Sequence, residues 1–252
     1  MTNALWRHTG TLAQATVDFR DGMVAQMHDW KGHETAMSWN ASGGGELPTR
    51  AEQQDVLLAL LAASEIGDGA VLDLGVGSGL VAEAVLDALP NSQVVGVDFS
   101  DAMLDLAGER LSRFGSRVRL LAGDLSEPDA IGLPDLPYRA AFSIQTMHHL
   151  SDAEKAATFA WTATLLAPGG LIVIIDRVKV DAPLFRDWAV VWRRLDSRTP
   201  QTYVEHVEEL TAAGDRPARL QDQLAWMEMA GLDASCFHLY GNRAVIVARK
   251  PQ

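Results

Sequence analysis

The 252-residue sequence has little cysteine and a shortage of positive charge. Its single cysteine, Cys236, cannot form an intramolecular disulfide and has no second thiol with which to build a zinc site, so no metal site is predicted. Lys and Arg number 21 against 33 Asp and Glu, which gives a formal net charge of -12. Extended contact with phosphate backbones needs clustered basic residues. No nucleic-acid partner is therefore expected.

Long apolar runs are also missing. No stretch of about 18 apolar residues occurs, and the first residues lack a basic region followed by an apolar core. We therefore predict no membrane span and no secretory signal, and we expect a cytoplasmic protein. Hydrophobic residues make up 48% of the chain, enough for one substantial α/β core but not for a second independent domain. A homodimer is compatible with this composition.

What the sequence does contain is a glycine turn directly after a short apolar strand. Residues 71–79 read Val-Leu-Asp-Leu-Gly-Val-Gly-Ser-Gly. Glycines in a strand-to-helix turn let the backbone approach a ligand closely. A dinucleotide site needs a glycine where this chain has Leu80, and a Walker A loop needs a Gly-Lys-Ser/Thr that is missing. Asp73 could order the turn or accept a hydrogen bond from a ligand's ammonium group, and it would repel phosphate. The pattern favours a nucleoside ligand.

The next predicted strand, over 94–97, also ends in an acid. Asp98 at its carboxyl end is placed to accept hydrogen bonds from both hydroxyls of a ribose. Phe99 and Met103 follow and offer apolar surface to a purine. A strand-ending Asp can also be a helix cap, and Met103 begins an apolar helical pattern that core packing explains equally well.

A third strand, over 118–122, ends in Gly123-Asp124-Leu125. This segment could supply an acceptor for an exocyclic amine of the purine, or Asp124 could cap a helix. The carboxyl ends of parallel strands meet at one edge of a sheet, and ligands bind beyond that edge. Three acids are therefore predicted around one ligand site.

These segments resemble the class I S-adenosylmethionine-dependent methyltransferases. The resemblance runs from about Asp55 to Asp176, and four blocks carry it: Asp73-Leu74-Gly75-Val76-Gly77-Ser78-Gly79, Val97-Asp98-Phe99-Ser100, Gly123-Asp124-Leu125 and Leu166-Ala167-Pro168-Gly169-Gly170. It implies S-adenosylmethionine as the cofactor. The implied cofactor contacts are Asp73, Gly75, Gly77 and Gly79 for the methionine part, Asp98 for the ribose, Phe99 and Met103 for the adenine face, and Asp124 and Leu125 for the adenine edge.

Apolar strands alternate with helices along most of the chain, which predicts a parallel sheet with right-handed crossovers. Gly241-Asn242 separates two β-rich runs and predicts a terminal hairpin. The expected fold is α/β: a Rossmann-like, doubly wound, mostly parallel seven-stranded sheet with an antiparallel C-terminal hairpin and helical cap segments. The expected organisation is an N-terminal cap over residues 1–48 and a methyltransferase domain over 49–252, with a helical lid insertion at about 177–235.

The candidate catalytic segment is Gln145-Thr146-Met147-His148-His149-Leu150, which follows the fourth strand. Because the pKa of histidine lies near neutral pH, His148 is the predicted general base. His149 is assigned to the substrate and Gln145 to the cofactor. The alternative is that the histidine pair only shapes the entry of the next helix, with Ser151 as its N-cap.

Three further residues are candidate substrate contacts. Arg177, after the fifth strand, could bind a substrate carboxylate or form a solvated salt bridge. Tyr240 could donate a hydrogen bond or be an ordinary strand residue. Trp39 belongs to a group with Trp30, His33 and Met37 that could close over the cofactor or simply pack.

The predicted function is in-line methyl transfer from S-adenosylmethionine to a small-molecule acceptor, for which the enzyme must chiefly align the nucleophile and exclude water. Two alternatives remain. The C-terminal part also resembles carboxy-S-adenosylmethionine synthase, which modifies the cofactor. A non-catalytic cofactor-binding protein could use the same fold.

Overall fold

The core of the protein is one seven-stranded sheet, seen in a computed structural model that describes residues 49–64, 69–194 and 199–252. The strand order across the sheet is β3-β2-β1-β4-β5-β7-β6. β1 to β5 are parallel, and β7 pairs antiparallel with both β5 and β6. The strands are β1 (Ala70–Leu74), β2 (Gln93–Asp98), β3 (Val118–Ala122), β4 (Tyr138–Ile144), β5 (Leu166–Arg177), β6 (Asp233–Tyr240) and β7 (Arg243–Arg249). The predicted Rossmann-like sheet with an antiparallel terminal hairpin is confirmed.

Seven α-helices are described in the same ranges. They are α1 (Arg50–Ala63), α2 (Leu80–Ala88), α3 (Asp101–Leu111), α4 (Asp152–Leu165), α5 (Phe185–Trp192), α6 (Tyr203–Ala213) and α7 (Leu220–Met229). After α3 the chain tightens into a 3₁₀ segment, Ser112–Arg117, in which Gly115 takes a positive φ. None of the described helices is both long and apolar enough to cross a bilayer.

Helices cover both faces of the sheet, which explains the uninterrupted apolar runs of the central strands. All five residues of β1 are buried. Leu72 packs on one face in a core that includes Phe159 of α4. Val71 points to the opposite face, into a core that includes Leu57 of α1. The alternation of β1 side chains between two cores therefore holds the strand at the centre of three layers.

The chain reverses its direction of travel across the sheet at β1. The chain runs outward from β1 to β2 and β3, then returns to place β4 on the other side of β1. Such a switch point opens a crevice beyond the carboxyl ends of the two strands that flank it. The glycine turn after β1 and the histidine pair after β4 both lie at this crevice.

Two side-chain caps define the helices that leave the ligand edge. Ser100, and not Asp98, caps α3: its hydroxyl accepts a hydrogen bond from the backbone N–H of Met103. Ser151 caps α4, as predicted, and forms a capping box with Glu154. The alternative interpretation of Asp98 as a helix cap is therefore wrong, because the adjacent serine takes that position.

The helices α5, α6 and α7 fall within the predicted insertion at about 177–235. The loop between α6 and α7 contributes to the ligand cavity, as described below. The predicted N-terminal cap, including Trp30, His33, Met37 and Trp39, lies outside the described residues. Cys236 is half-buried, because it is on β6 at the edge of the sheet.

Candidate functional site

A cavity of about 480 Å³ opens beyond the carboxyl ends of β1, β2 and β4. This volume lies within the range of about 300–1,000 Å³ that is usual for small-molecule sites. The predicted site residues that line it are Asp73, Gly75, Gly77, Asp98, Phe99, Met103, Asp124, Leu125, Gln145, His148, His149 and Arg177. The two predicted halves of the site, for cofactor and for substrate, therefore share one cavity.

The glycine turn has a shape that only glycine allows. Gly75 takes φ +84°, and a Cβ there would lie 2.3 Å from Oγ1 of Thr146. Gly77 takes φ +53°, and a Cβ there would meet nothing within 4 Å. The turn is held in place because the N–H of Gly75 donates to the carbonyl of Val97, 2.8 Å away. The backbone at Gly77 thus offers open space for a ligand to approach.

Two predicted contacts do not line the cavity. Gly79 takes φ +76° at the start of α2, where a Cβ would lie 3.0 Å from Leu111 of α3. Its role is close packing between α2 and α3, so the cofactor assignment of Gly79 is not supported by its position. Tyr240 ends β6 beside the hairpin turn, away from the cavity lining. Trp39 lies outside the described residues.

Asp98 is buried where the cavity meets β2, with 8% of its surface exposed. Its Oδ2 accepts a hydrogen bond from the N–H of Gly77 at 2.9 Å, and its Oδ1 accepts one from the N–H of Ser100 at 3.0 Å. Burial raises the pKa of Asp98, and the backbone hydrogen bonds oppose that rise. The neighbouring apolar surface comes from Met103, which is buried, and Phe99, which is 42% exposed.

Asp73 lies deeper, at the end of β1, and is 2% exposed. Burial and the charge of Asp98 raise its pKa well above the usual value of 3.8. No salt bridge links Asp73 to a cation within the described ranges. A buried carboxylate in this position is stabilised by a ligand that brings a positive charge.

The edge of the predicted adenine site is more open. Asp124 is exposed, and its Oδ1 accepts a hydrogen bond from the N–H of Ser126 at 2.8 Å, which makes a local turn. Leu125 is buried against the main core. Gln145 takes φ +55°, a conformation that is uncommon outside glycine, and its Oε1 accepts from Nη1 of Arg243 at 3.1 Å. This link to Arg243 fixes the direction of the Gln145 side chain.

His148 is held from one side by Asp176. The Nδ1 atom of His148 lies 2.5 Å from Oδ1 of Asp176, and its backbone N–H donates to Oδ2 at 3.0 Å. Burial would raise the pKa of Asp176, but the charge and hydrogen bonds of His148, with a contribution from Arg177, lower it to about 2. The carboxylate is ionised and can only accept, so Nδ1 of His148 is the donor.

A second carboxylate, Asp215, faces both histidines. Its Oδ1 lies 3.4 Å from Nε2 of His148 and 3.3 Å from Nδ1 of His149. Its Oδ2 accepts a hydrogen bond from Nη1 of Arg177. Arg177 therefore forms a salt bridge with a buried partner, and not the solvated pair considered from sequence. Burial, followed by the charge of His148, lowers the pKa of His149 to about 3, which leaves its ring neutral.

The loop that carries Asp215 is tied to the loop that carries the histidines. The N–H of Arg216 donates to the carbonyl of His148 at 2.5 Å. Nζ of the fully buried Lys155 donates to the carbonyls of Leu150 and Arg216, at 2.5 and 2.6 Å. Sequence reasoning missed Asp215, Arg216 and Lys155, because none of them belongs to a motif and they meet only through the fold.

The middle of the chain is similar to known methyltransferases. Residues 71–170 match a family model described as a methyltransferase domain. An uncharacterized methyltransferase of Geobacillus kaustophilus is 36% identical over 116 residues, which cover 46% of this chain and 50% of that protein. The chain spans half or less of the length of the curated relatives that it matches.

Solved structures show the same fold over most of the chain. A phosphoethanolamine N-methyltransferase of Haemonchus contortus, in complex with S-adenosyl-L-methionine, superposes with a TM-score of 0.67 at 17% identity, covering 88% of this chain and 58% of that one. An O-methyltransferase family 2 protein of Planctomyces limnophilus, in complex with apigenin, has a TM-score of 0.62 at 21% identity and covers 86% and 61%. At these identities the similarity establishes the fold.

Proposed function

Because residues 71–170 form a class I methyltransferase domain whose cofactor is S-adenosylmethionine, we propose that the protein transfers the cofactor's methyl group to a small-molecule acceptor. The observation that carries the proposal is the shared cavity, which joins the acid after β2 to the histidines after β4. Donor and acceptor can then lie end to end, as an in-line displacement requires.

The residues at the β1–β2 end suit this cofactor. The carboxylate of Asp98 would accept the ribose hydroxyls, and Met103 with Phe99 would cover the adenine. Open space at Gly77 admits the amino-acid part of the cofactor, and the buried Asp73 carboxylate would accept its ammonium group. Asp73 has no cationic partner among the residues that the structure describes. The ammonium group of S-adenosylmethionine would supply one, and a dinucleotide would not.

The histidine end would hold the acceptor. In the transfer, the bond between the methyl carbon and sulfur breaks with its electron pair left on sulfur, and a bond forms from that carbon to the acceptor atom. If the acceptor atom carries a proton, that proton must leave. Nε2 of His148 is the nitrogen that remains after Asp176 has fixed Nδ1, so it is the proposed general base. Nε of Arg177, buried and without a hydrogen-bond partner in the described ranges, can bind a polar group of the acceptor.

A small acceptor is favoured over a macromolecule by enclosure and charge. Ala213, at the end of α6, and Asp215 and Arg216, in the loop that follows, line the cavity and help to enclose it. The net charge of -12 opposes extended contact with RNA or DNA. A compact ligand fits inside the enclosed cavity and needs no extended contact with the negatively charged protein.

The test uses S-adenosylmethionine with an isotopically labelled methyl group and a cell extract separated into small-molecule, RNA and protein fractions. We expect label in a small-molecule product, detected by mass spectrometry, and at least about tenfold less product with the Asp98→Ala variant when the cofactor is limiting. Asp105→Ala, which changes an exposed acid of α3, is the matched control and should behave as the wild type. Label confined to RNA or protein, or no label in any fraction, would contradict the proposal. Cofactor that gains a carboxyl group on addition of prephenate would reveal the carboxy-S-adenosylmethionine synthase alternative.

A further inference from the structure

Three side chains of the types that bind metal ions meet at the histidine end of the cavity. We propose that His148, His149 and Asp215 bind one divalent transition-metal ion, with its open coordination positions directed into the cavity. One ligand atom from each of the three lies within 4.8 Å of the others. All three residues line the cavity in which the acceptor would lie.

Two of the three separations between the ligand atoms match those of groups that share a metal. Two ligands at about 2.1 Å from one tetrahedral ion are roughly 3.4 Å apart. The observed separations from Oδ1 of Asp215 are 3.4 Å to Nε2 of His148 and 3.3 Å to Nδ1 of His149. Charge-assisted hydrogen bonds between such groups are shorter, about 2.7–2.9 Å. Both imidazoles therefore stand back from the carboxylate by the space that an ion occupies.

The orientation of His148 turns one ring nitrogen toward Asp215. Its Nδ1 lies 2.5 Å from Asp176, so Nε2 is the nitrogen that faces Oδ1 of Asp215. Nδ1 of His149 faces the same oxygen. A metal ion placed among these three atoms would be coordinated by all of them.

The residues that contact the proposed ligands are arranged like those around the ligands of a bound metal. Metal-bound histidines commonly donate their second ring N–H to a carboxylate, which fixes the ring and makes it a better ligand. Asp176 has this relation to His148. Arg177 occupies Oδ2 of Asp215 and leaves Oδ1 for the metal. Asp176 is thus a positioning residue, which acts on the ion through His148.

The ligand types indicate which metals fit. Imidazole nitrogen suits zinc, iron, cobalt or nickel, whereas magnesium prefers an all-oxygen set. Two histidines and one carboxylate leave positions for water or an acceptor. On the proposed function, this site selects acceptors whose reacting oxygen or nitrogen can coordinate a metal, and the metal lowers the pKa of that group. When Nε2 of His148 coordinates the ion, it is no longer available as a base. The ion then promotes loss of the acceptor proton, which passes to solvent.

The test measures metal binding directly and needs no acceptor. Full-length, tag-free protein is stripped with a chelator and titrated by calorimetry with Zn²⁺, and in parallel with Mg²⁺. We expect one Zn²⁺ per chain and much weaker binding of Mg²⁺. His149→Ala and Asp215→Asn should each lower the Zn²⁺ affinity at least tenfold, and Asp176→Asn about 10- to 100-fold. His238→Ala, which removes a histidine paired with Glu52 on another face, should bind Zn²⁺ as the wild type does.

Titration of the same samples with S-adenosylmethionine separates the two proposals and reports on folding. His149→Ala should bind the cofactor normally, while Asp98→Ala should lose cofactor affinity and keep Zn²⁺. Absence of Zn²⁺ binding to the wild type would overturn the metal site. Equal Zn²⁺ affinity of wild type and His149→Ala would overturn it as well. Zn²⁺ binding without any cofactor binding would support the metal site and contradict the methyltransferase proposal.

Discussion

The backbone N–H of Gly77 donates a 2.9 Å hydrogen bond to Oδ2 of Asp98, across 21 residues of sequence. This bond joins the turn after β1 to the acid at the end of β2. The register of the two strands makes it possible, since Leu74 pairs with Val97. The same carboxylate that orders the glycine turn is therefore the one proposed to receive the ribose.

Replacing Asp98 tests the ribose assignment. We expect Asp98→Ala to lower S-adenosylmethionine affinity by about 1.5–3 kcal/mol, the worth of hydrogen bonds to a charged acceptor. Calorimetric titration measures the change, with Asp105→Ala as the exposed control. Unchanged affinity would remove Asp98 from the site.

Replacing Gly75 tests the shape of the turn. Gly75→Ala should destabilise the protein by about 1–3 kcal/mol, because the residue has φ +84° and its Cβ would meet Thr146 at 2.3 Å. Gly108→Ala is the matched control: the glycine is exposed on α3, and its Cβ would have only Leu120 nearby, at 3.9 Å. That change should stabilise by about 0.5–1 kcal/mol. Denaturant unfolding checks both signs, and equal effects of the two substitutions would contradict the strained turn.

The pKa of Asp73 predicts a proton release on cofactor binding. In the free cavity burial and Asp98 raise this pKa well above 3.8, and the ammonium group of the cofactor would lower it again. Between the two pKa values, binding must release a proton, so affinity should increase as pH rises through that interval. Titrations in buffers of different ionisation enthalpy measure the released protons. Asp73→Asn should abolish the release, and a release that persists in this variant would assign it to another group.

His148 is the proposed base, or a ligand of the ion that replaces it, so its loss should affect turnover. With an acceptor identified, we expect His148→Ala to lower kcat about 10²-fold while cofactor affinity stays within about twofold. His238→Ala, far from the cavity, is the control. A normal rate for His148→Ala would leave the histidine pair with the structural role of shaping the entry to α4.

The fold and the cofactor half of the site follow from local sequence, whereas the acceptor half does not. Asp73, Gly75 and Gly77 lie within five residues of one another at a strand end, so their proximity is set by the chain itself. Asp215 reaches His148 only because the loop after α6 folds back over β4, and no periodic or spacing signal marks that contact.

The roles of the individual glycines also cannot be predicted from the local sequence. Gly77 and Gly79 occupy equivalent places in the motif and both have positive φ. A Cβ at Gly77 would enter open space, and one at Gly79 would press on Leu111 of the neighbouring helix. Tertiary packing therefore determines which glycine leaves room for a ligand and which one allows two helices to pack closely. Likewise, the sequence indicates only a substrate contact or a solvated salt bridge for Arg177, because its buried partner Asp215 is 38 residues away.

The central claim is that this cavity binds S-adenosylmethionine. The most direct measurement is a calorimetric titration of the purified protein with S-adenosylmethionine and, in parallel, with a nicotinamide dinucleotide. The account predicts one molecule of S-adenosylmethionine bound per chain and no binding of the dinucleotide. Binding of the dinucleotide alone, or of neither ligand, would contradict it.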